Sequence, residues 1–530
     1  MKTTTNASNN QQVIDKNLQL SENTPSTPEI INLKRSERRR LKRAAEKEVK
    51  QAGEAGSAKK SGLTGTRKPE LNGDQLKILQ ESMENLKKEM VGNTWRTLVV
   101  GRVFKQNQKI KFITDDTLVV GADVASNKHD MRAFTNRGIE VSEKALEFAN
   151  SREGFETAYH WILELMARNG MKQAVIGLEP TGHYWFNLFW WMLKHRITVL
   201  LVNPFAVNRI KEVDDNQQLK TDRKDPKTIA GLIKDGRYTV PYLPEGDYAE
   251  LRGYAQLRDT ALESLARAKN RLHRWVDIYF PGYEGLYEKI DAAGGLLLLS
   301  SGLTPEDIVR IGIDGIMNIW KEAKLRGQGK AKAIQIYNAA RDEIHCSQGL
   351  NAARLEVKWL AEDIRTAQER LYEADEKMRE YCLKTADTSK IEAIPGVTLN
   401  TLAPLLADIG DMSRFDNDEE IAKLSGLIPV VQESGKYKGQ AKISRRGRKR
   451  IRKNLYKMGM CVIANSAEFK QLHCYYTTRE KNPLKKMQSL MVIMRKLLRI
   501  IRSLILTGGT YDPSKVISPV VKEQLALKAV

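Results

Sequence analysis

The sequence predicts a layered α/β domain followed by a predominantly helical remainder. Three observations predict it. Short apolar runs alternate with helix-length amphipathic stretches between residues 117 and 238; apolar positions recur at helical spacing from about 245 onward; and the first 72 residues hold few large apolar side chains. A chain of 530 residues exceeds what one hydrophobic core usually holds, so several domains are expected.

Residues 1–72 are rich in Asn, Gln, Ser and Thr, then in Lys and Arg. They cannot bury enough apolar surface to offset chain entropy, which predicts a disordered basic tail. Within it, KRSERRRLKRAAEKEVK is either a solvated charge run or a segment that becomes helical on a phosphate backbone. Residues 73–115 form a linker whose Leu76, Leu79, Met83, Leu86 and Met90 predict an amphipathic helix. The α/β domain spans 116–240, with strands expected at TLVVGADV, AVIGLE and ITVLLV, a hairpin partner at 130–134, and helices at 154–167, 184–194 and 226–234.

Residues 241–388 read as helical. Ala353, Val357, Leu360, Ile364, Ala367, Leu371, Ala374, Met378 and Tyr381 keep an unbroken 4-3 spacing, the pattern of a coiled-coil seam. An intrachain helical hairpin gives the same spacing, but a run exceeding three heptads favours dimerisation. Gly and Pro punctuation at 280–315 predicts a separate lobe. The segment 389–508 opens with IPGVTLNTLAPLLA, which resembles a helix-hairpin-helix element able to offer backbone N–H groups to a phosphate. Residues 509–530 form a tail.

The formal net charge of +22 and pI near 9.6 point to a polyanionic partner. The sharpest electrostatic signal is 436–457, with eleven Lys/Arg and no acid. Lys436, Lys438, Lys442, Arg445, Arg446, Arg448, Lys449, Arg450, Arg452 and Lys453 are its candidate phosphate contacts, because a merely solvated face carries both signs. The cysteines Cys346, Cys382, Cys461 and Cys474 lack zinc or disulfide spacing. No apolar run suits a bilayer and no signal sequence opens the chain, so a cytoplasmic protein without membrane partners is expected.

Four acids sit where an RNase H-like fold would need them. Asp123 ends the first strand in GADVAS, Glu179 ends a later strand in GLEPTGHYW, and Asp222 and Asp225 precede a helix in KTDRKDP. Phosphodiester chemistry of this kind uses hard cations held by carboxylates from several elements. Each acid alone has a plain structural explanation: Asp225 before Pro226 is an N-cap, Asp123 could end a strand in a turn, and Glu179 could be a surface acid. Acids ending two apolar strands and followed by an Asp pair are far harder to explain as coincidence.

GADVASNKHD, GLEPTGHYWFNL, VNPFAVNRIKE and KTDRKDPKTIAGLI, in that order, resemble the DEDD-type insertion-sequence transposases, recombinases with a RuvC-like domain that use a guide ("bridge") RNA. IPGVTLNTLAPLLADIGDMSRF, KLSGLIPVVQESGKYKG and ISRRGRKRIRKNL are similar to that family's second domain, so the resemblance covers about 117–505. It implies a prokaryotic, nucleoid-associated enzyme that cuts and rejoins DNA by phosphodiester transesterification, a helical C-terminal transposase domain, and a dimer or tetramer. Its partners would be donor and target DNA and a guide RNA. It further implies Asp123, Glu179, Asp222 and Asp225 as ligands of Mg²⁺ or Mn²⁺ and Ser434 as nucleophile, with Ser444 in KISRRG a rival that stays open. Pro226 departs from the family's usual small residue, and the basic tail lies outside its core. Two other readings remain: a RuvC-like metal-dependent junction endonuclease without a covalent intermediate, and a non-catalytic nucleic-acid-binding protein.

Overall fold

A computed structural model describes residues 72–93, 97–98, 106–214, 225–342, 344–430, 433–434, 437–438 and 442–529. The chain divides into two compact units, 1–80 and 81–530. The expected basic tail lies outside the described residues. Of the first unit, residues 72–80 are described. They open helix α1 (Gly73–Glu89), where the Asn72 and Gln75 side chains each accept from the other's backbone N–H.

The second unit is built on a six-stranded sheet. After α2 (Gln106–Phe112) come β1 (Thr117–Val124), β2 (Lys128–Phe134), β3 (Leu146–Ala149), α3 (Arg152–Arg168), β4 (Gln173–Leu178), α4 (Trp185–Lys194), β5 (Thr198–Val202), α5 (Pro204–Asp214), α6 (Asp225–Lys234) and β6 (Tyr238–Thr239). The spatial order is β3-β2-β1-β4-β5-β6. β1, β4 and β5 run parallel, while β2, β3 and β6 are each antiparallel to their neighbours. The period-2 alternation of strands decides what each face touches. Leu118, Val120, Ala122 and Val124 face a core with Ile162, Leu163, Leu188 and Met192 of α3 and α4, which Met90 joins. Val119 and Val175 face the opposite side, with Ile229, Ala230 and Ile233 of α6. The predicted central strands are therefore buried on both faces, as their unbroken apolar runs require.

The remainder is helical. α7 (Asp247–Tyr279) and α11 (Leu350–Thr385) are two long helices packed along each other. Within the chain, the seam of α11 is met by α7. Ala353, Val357, Leu360, Ile364, Ala367, Ala374 and Met378 are buried in this chain, against an α7 face that includes Leu251, Ala255, Ala268, Leu272 and Trp275. A 4-3 stripe needs a partner of the right phase, and α7 supplies it.

Between the two helices lies the expected lobe, with α8 (Ala293–Ser300), α9 (Pro305–Glu322) and α10 (Lys330–Asp342). Its core holds Phe280, Tyr283, Leu298, Leu299, Ile308, Ile316, Trp320 and Ile336. Asp307 anchors it to the hairpin: it accepts from Thr304 at the N-terminus of α9 and from Arg354 of α11 at 2.8 Å. Burial alone would raise its pKa, but the Arg354 and Thr304 hydrogen bonds outweigh that and bring it to about 2.

The C-terminal part comprises α12 (Ser389–Glu392), α13 (Leu399–Ile409), α14 (Asp418–Ser425), four two-residue strands β7 (Pro429–Val430), β8 (Glu433–Ser434), β9 (Tyr437–Lys438) and β10 (Lys442–Ile443), then α15 (Lys449–Asn465), α16 (Ala467–Thr478), α17 (Lys486–Thr507) and α18 (Pro519–Ala529). Leu402, Leu405, Leu406, Ile451, Leu455, Met458, Ile493, Leu497 and Ile501 form its core.

Candidate active site

The sheet's register brings the acids together. β1 and β4 pair in parallel with Gly121 beside Gly177 and Ala122 beside Leu178. One step further along the same register sets Asp123 beside Glu179, at the C-terminal ends of adjacent parallel strands. Strand alternation puts Gly121 and Asp123 on the face that α6 covers, and Gly177 lies on that face too.

The two glycines explain why α6 can lie there. A Cβ on Gly121 would sit 1.8 Å from the Pro226 carbonyl oxygen and 3.0 Å from the Ala230 nitrogen. A Cβ on Gly177 would meet Ile233 at 2.7 Å and Ile229 at 2.8 Å. Each strand thus carries a Gly two residues before its acid, and the missing side chains form the bed for the first turns of α6. That packing holds Asp225, the first residue of α6, over the strand end that carries Asp123. Beyond β4, the Glu179 carboxylate accepts from the Thr181 hydroxyl at 3.0 Å, and its carbonyl from the Thr181 N–H at 2.8 Å. Beyond β1, the Ala125 N–H donates to Nδ1 of His129, a wholly buried ring between Phe148 and Phe155. This bond fixes the turn that follows Asp123.

Asp222 lies outside the described residues. Among the described residues, no group of three or more His, Cys, Asp or Glu side chains is gathered closely enough to hold a metal ion. The donors suit a hard divalent cation in kind, being carboxylates from separate elements. One acid escaped the sequence reading: Asp130, which the β1–β2 register sets directly opposite Asp123. The signal was available in HDMRAF, where Met131 and Ala133 go to one core and Asp130 to the other face.

Ser434 ends β8, in a short antiparallel hairpin where it pairs with Tyr437 of β9. That hairpin is nested between β7 and β10, which pair with each other through Val430 and Lys442. Gly435, Lys436 and the side chains of Ser434 and Lys438 lie outside the described residues. Ser444 follows β10, half-buried, with its N–H donated to the Ile428 carbonyl at 2.9 Å.

Residues 120–281 match the family model of DEDD-type IS110 transposases, and residues 388–475 match that described as the transposase IS116/IS110/IS902 family. Both matches are to IS110-type transposases, which the chain resembles over 120–281 and 388–475. The chain is accordingly a DNA transposase/recombinase. Similar proteins include the 44.8 kDa protein of insertion element IS116 from Streptomyces clavuligerus, 25% identical over 61% of this chain and 80% of its own length. The pilin gene-inverting protein of Moraxella lacunata is 23% identical over 74% of this chain and 97% of its own. The 42 kDa protein of insertion element IS900 from Mycobacterium paratuberculosis is 23% identical over 56% of this chain and 73% of its own.

In this transposase the basic run divides into two sets. Lys442, Arg445, Arg446, Lys449 and Lys453 are exposed. The guanidiniums of Arg448, Arg450 and Arg452 turn to the protein instead. That of Arg448 donates to the Asp408 carbonyl, Arg450 pairs with Asp259 at 3.0 Å and Asp408 at 3.2 Å, and Arg452 donates to the Ser425 carbonyl at 3.0 Å. Arg252 of α7 and Arg414 add bonds to the Ala407 and Ile409 carbonyls. Three guanidiniums therefore meet the last carbonyls of α13, where both hydrogen bonding and the helix dipole favour cations. Asp408 at their centre is buried, which pushes its pKa up against the pull of Arg450. Arginine in this run thus joins α7, α13 and α15, a structural task that charge counting in the sequence could not separate from phosphate binding.

Proposed function

We propose that this transposase cuts and rejoins DNA at a carboxylate site made of Asp123, Glu179, Asp222 and Asp225, on a sheet of the RNase H-like, RuvC-like kind, with Ser434 as nucleophile. The reading is supported by the parallel β1–β4 register, which ends at Ala122 beside Leu178, one residue before each acid, with the first turn of α6 packed on Gly121. The strand order, with one antiparallel hairpin arm beside parallel central strands, supports the RNase H-like assignment. A divalent cation, Mg²⁺ or Mn²⁺, held by these carboxylates would neutralise charge on the reacting phosphate and lower the proton affinity of an attacking or leaving oxygen.

Ser434 Oγ would attack a strand phosphate. A Ser–O–P bond forms as the strand's own P–O bond breaks, the hydroxyl proton passes to a carboxylate, and the leaving oxygen takes up a proton. The phosphoserine link keeps the bond energy for rejoining. Rejoining is favoured over simple cutting because Moraxella relatives are named for inverting a gene, and an inversion must reseal what it cuts. Sequence separation of Ser434 from the acids favours a composite site between subunits of a dimer or tetramer. A structured guide RNA, donor DNA and target DNA are the proposed partners, which the charge of +22 supports, acting at the nucleoid in a prokaryotic cytoplasm. The turn 394–397 before α13 is the proposed helix-hairpin-helix contact. Among the described residues no helix is long and apolar enough to cross a membrane.

The deciding experiment uses a DNA substrate that stalls after the first cut. Protein should become covalently attached to a strand end, and peptide mapping should place the link on Ser434. Ser434→Ala should lose the adduct while binding DNA as before. An adduct on Ser444 would move the nucleophile and keep the mechanism; cutting by Ser434→Ala with no adduct would establish the junction-endonuclease reading.

The exposed cations give a second expectation. Replacing Lys442, Arg445, Arg446 and Lys449 by Gln should flatten the salt dependence of duplex binding by roughly 0.9 in slope for each phosphate no longer neutralised. Arg450→Gln should instead lower thermal stability and leave that slope alone. Equal slopes for the wild type and the fourfold variant would reduce the run to a solvated face.

A further inference from the structure

We infer that the lobe between α7 and α11 carries a second DNA-binding surface, a cationic loop joining α9 to α10 that takes the phosphate backbone of a duplex. This rests on the reading of the chain as an enzyme acting on DNA. Neither family match reaches residues 282–387, so neither accounts for the lobe, which shares its core with α7 and α11.

Charge in the lobe is segregated. Residues 280–349 hold eight Lys/Arg and nine Asp/Glu, yet residues 321–332 hold five of those cations and a single acid, Glu322. Elsewhere in the lobe several charges are paired: Asp291 with Lys269, Asp307 with Arg354 and Arg310, Asp342 with Arg341. Lys332 is also committed, to the Leu286 carbonyl and the face of Tyr287. Lys321, Lys324, Arg326 and Lys330 are exposed, and no ion pair among the described residues engages them. A solubilising surface would intersperse both signs; four like charges on this short loop and the helix ends that flank it repel each other until an anion arrives.

The loop is also held in shape. The Leu325 N–H donates to the Trp320 carbonyl at 2.9 Å, and the Trp320 indole N–H to the Gly294 carbonyl at 2.9 Å. The Gln328 side chain lies against Gly294 and accepts from the Tyr287 hydroxyl at 3.5 Å. Between these pins, Gly327 takes φ +82°, and a Cβ on Gly327 or Gly329 would meet nothing within 4 Å. The backbone at this point is open to a large partner, and little ordering remains to oppose binding.

The chemistry selects a duplex backbone. Single-stranded nucleic acid is usually gripped by aromatic stacking platforms, and KEAKLRGQGKAKA contains no aromatic residue. Point charges on a glycine-opened loop fit the closely spaced phosphates of double-stranded DNA without reading sequence.

The test is a salt titration of the intact protein on a random-sequence DNA duplex of roughly 30 base pairs, with an RNA hairpin in parallel. K321Q/K324Q/R326Q/K330Q should bind the duplex at least about tenfold more weakly, and its slope should fall by roughly 0.9 for each phosphate no longer neutralised. R341Q, whose side chain is already paired, should match the wild type. An unchanged duplex slope in the fourfold variant, with a reduced slope in the α15-run variant described above, overturns this inference alone. Unchanged slopes in both would remove the DNA-handling reading of the two surfaces together. A weakening confined to the RNA hairpin would reassign the loop to RNA and overturn the proposal as stated.

Discussion

Asp123→Ala and Glu179→Ala are each expected to abolish strand cleavage, with a loss of at least roughly a thousandfold, since each would remove a ligand of the proposed divalent cation. The two residues occupy neighbouring positions of one parallel register, so neither can be replaced by a shift of the other. DNA affinity should persist in both variants, because phosphate contacts come from exposed lysines and arginines elsewhere. The measurement is single-turnover cleavage at saturating protein, beside a binding isotherm on the same substrate. Cleavage at the wild-type rate by either variant would remove the carboxylate site. Full cleavage in both would show that the reaction does not run through these acids. Asp130→Asn belongs in the same series: an effect confined to the divalent-ion concentration needed would make it an auxiliary donor.

Gly121→Ala should be nearly as damaging through the backbone alone. Its new methyl group would fall 1.8 Å from the Pro226 oxygen and 2.7 Å from the carbonyl carbon, and neither atom can rotate away as a side-chain end can. α6 must lift or the strand must bend, at a cost of about 1–3 kcal/mol or more. Asp225 moves with α6, and a displacement of about 1 Å in a site that depends on positioning costs on the order of a hundredfold in rate. Gly231→Ala is the matched comparison, on the same helix and with nothing within 4 Å of the added carbon. There the expected result is unchanged cleavage and a gain of up to about 1 kcal/mol, since Ala is the better helix former. Equal stability and equal cleavage in the two variants would show that close packing of α6 on the sheet does not matter.

The parallel strands were legible because burial on both faces leaves a continuous apolar signature, as in TLVV and TVLLV. β3 and β6 were not, being four and two residues long and carrying exposed positions that break the pattern. The acids were readable as strand ends. Which of them lie near one another was not, because that depends on which strands pair in parallel and on where α6 crosses them. The seam of α11 announced a helix needing a partner. Spacing cannot say whether that partner comes from the same chain, and the α7 side is disguised by small residues such as Ala255, Ala261 and Ala268. In the basic run, one residue of phase separates exposed Lys449 from Arg448 and Arg450, whose heads reach Asp408.

The lobe also bears on how the hairpin assembles. Closing α11 onto α7 means bridging a roughly seventy-residue connection, which for a flexible loop costs about 2 kcal/mol more than a five-residue turn. The lobe offsets part of that difference, because one core gathers the connection together with the near ends of α7 and α11. Its exit is tied to its entrance by the Cys346 N–H bonded to the Ile278 carbonyl at 3.1 Å. With the two stems already side by side, each further turn of α7 and α11 pairs with a neighbour close at hand. A long-range pairing in sequence has become a local one in space.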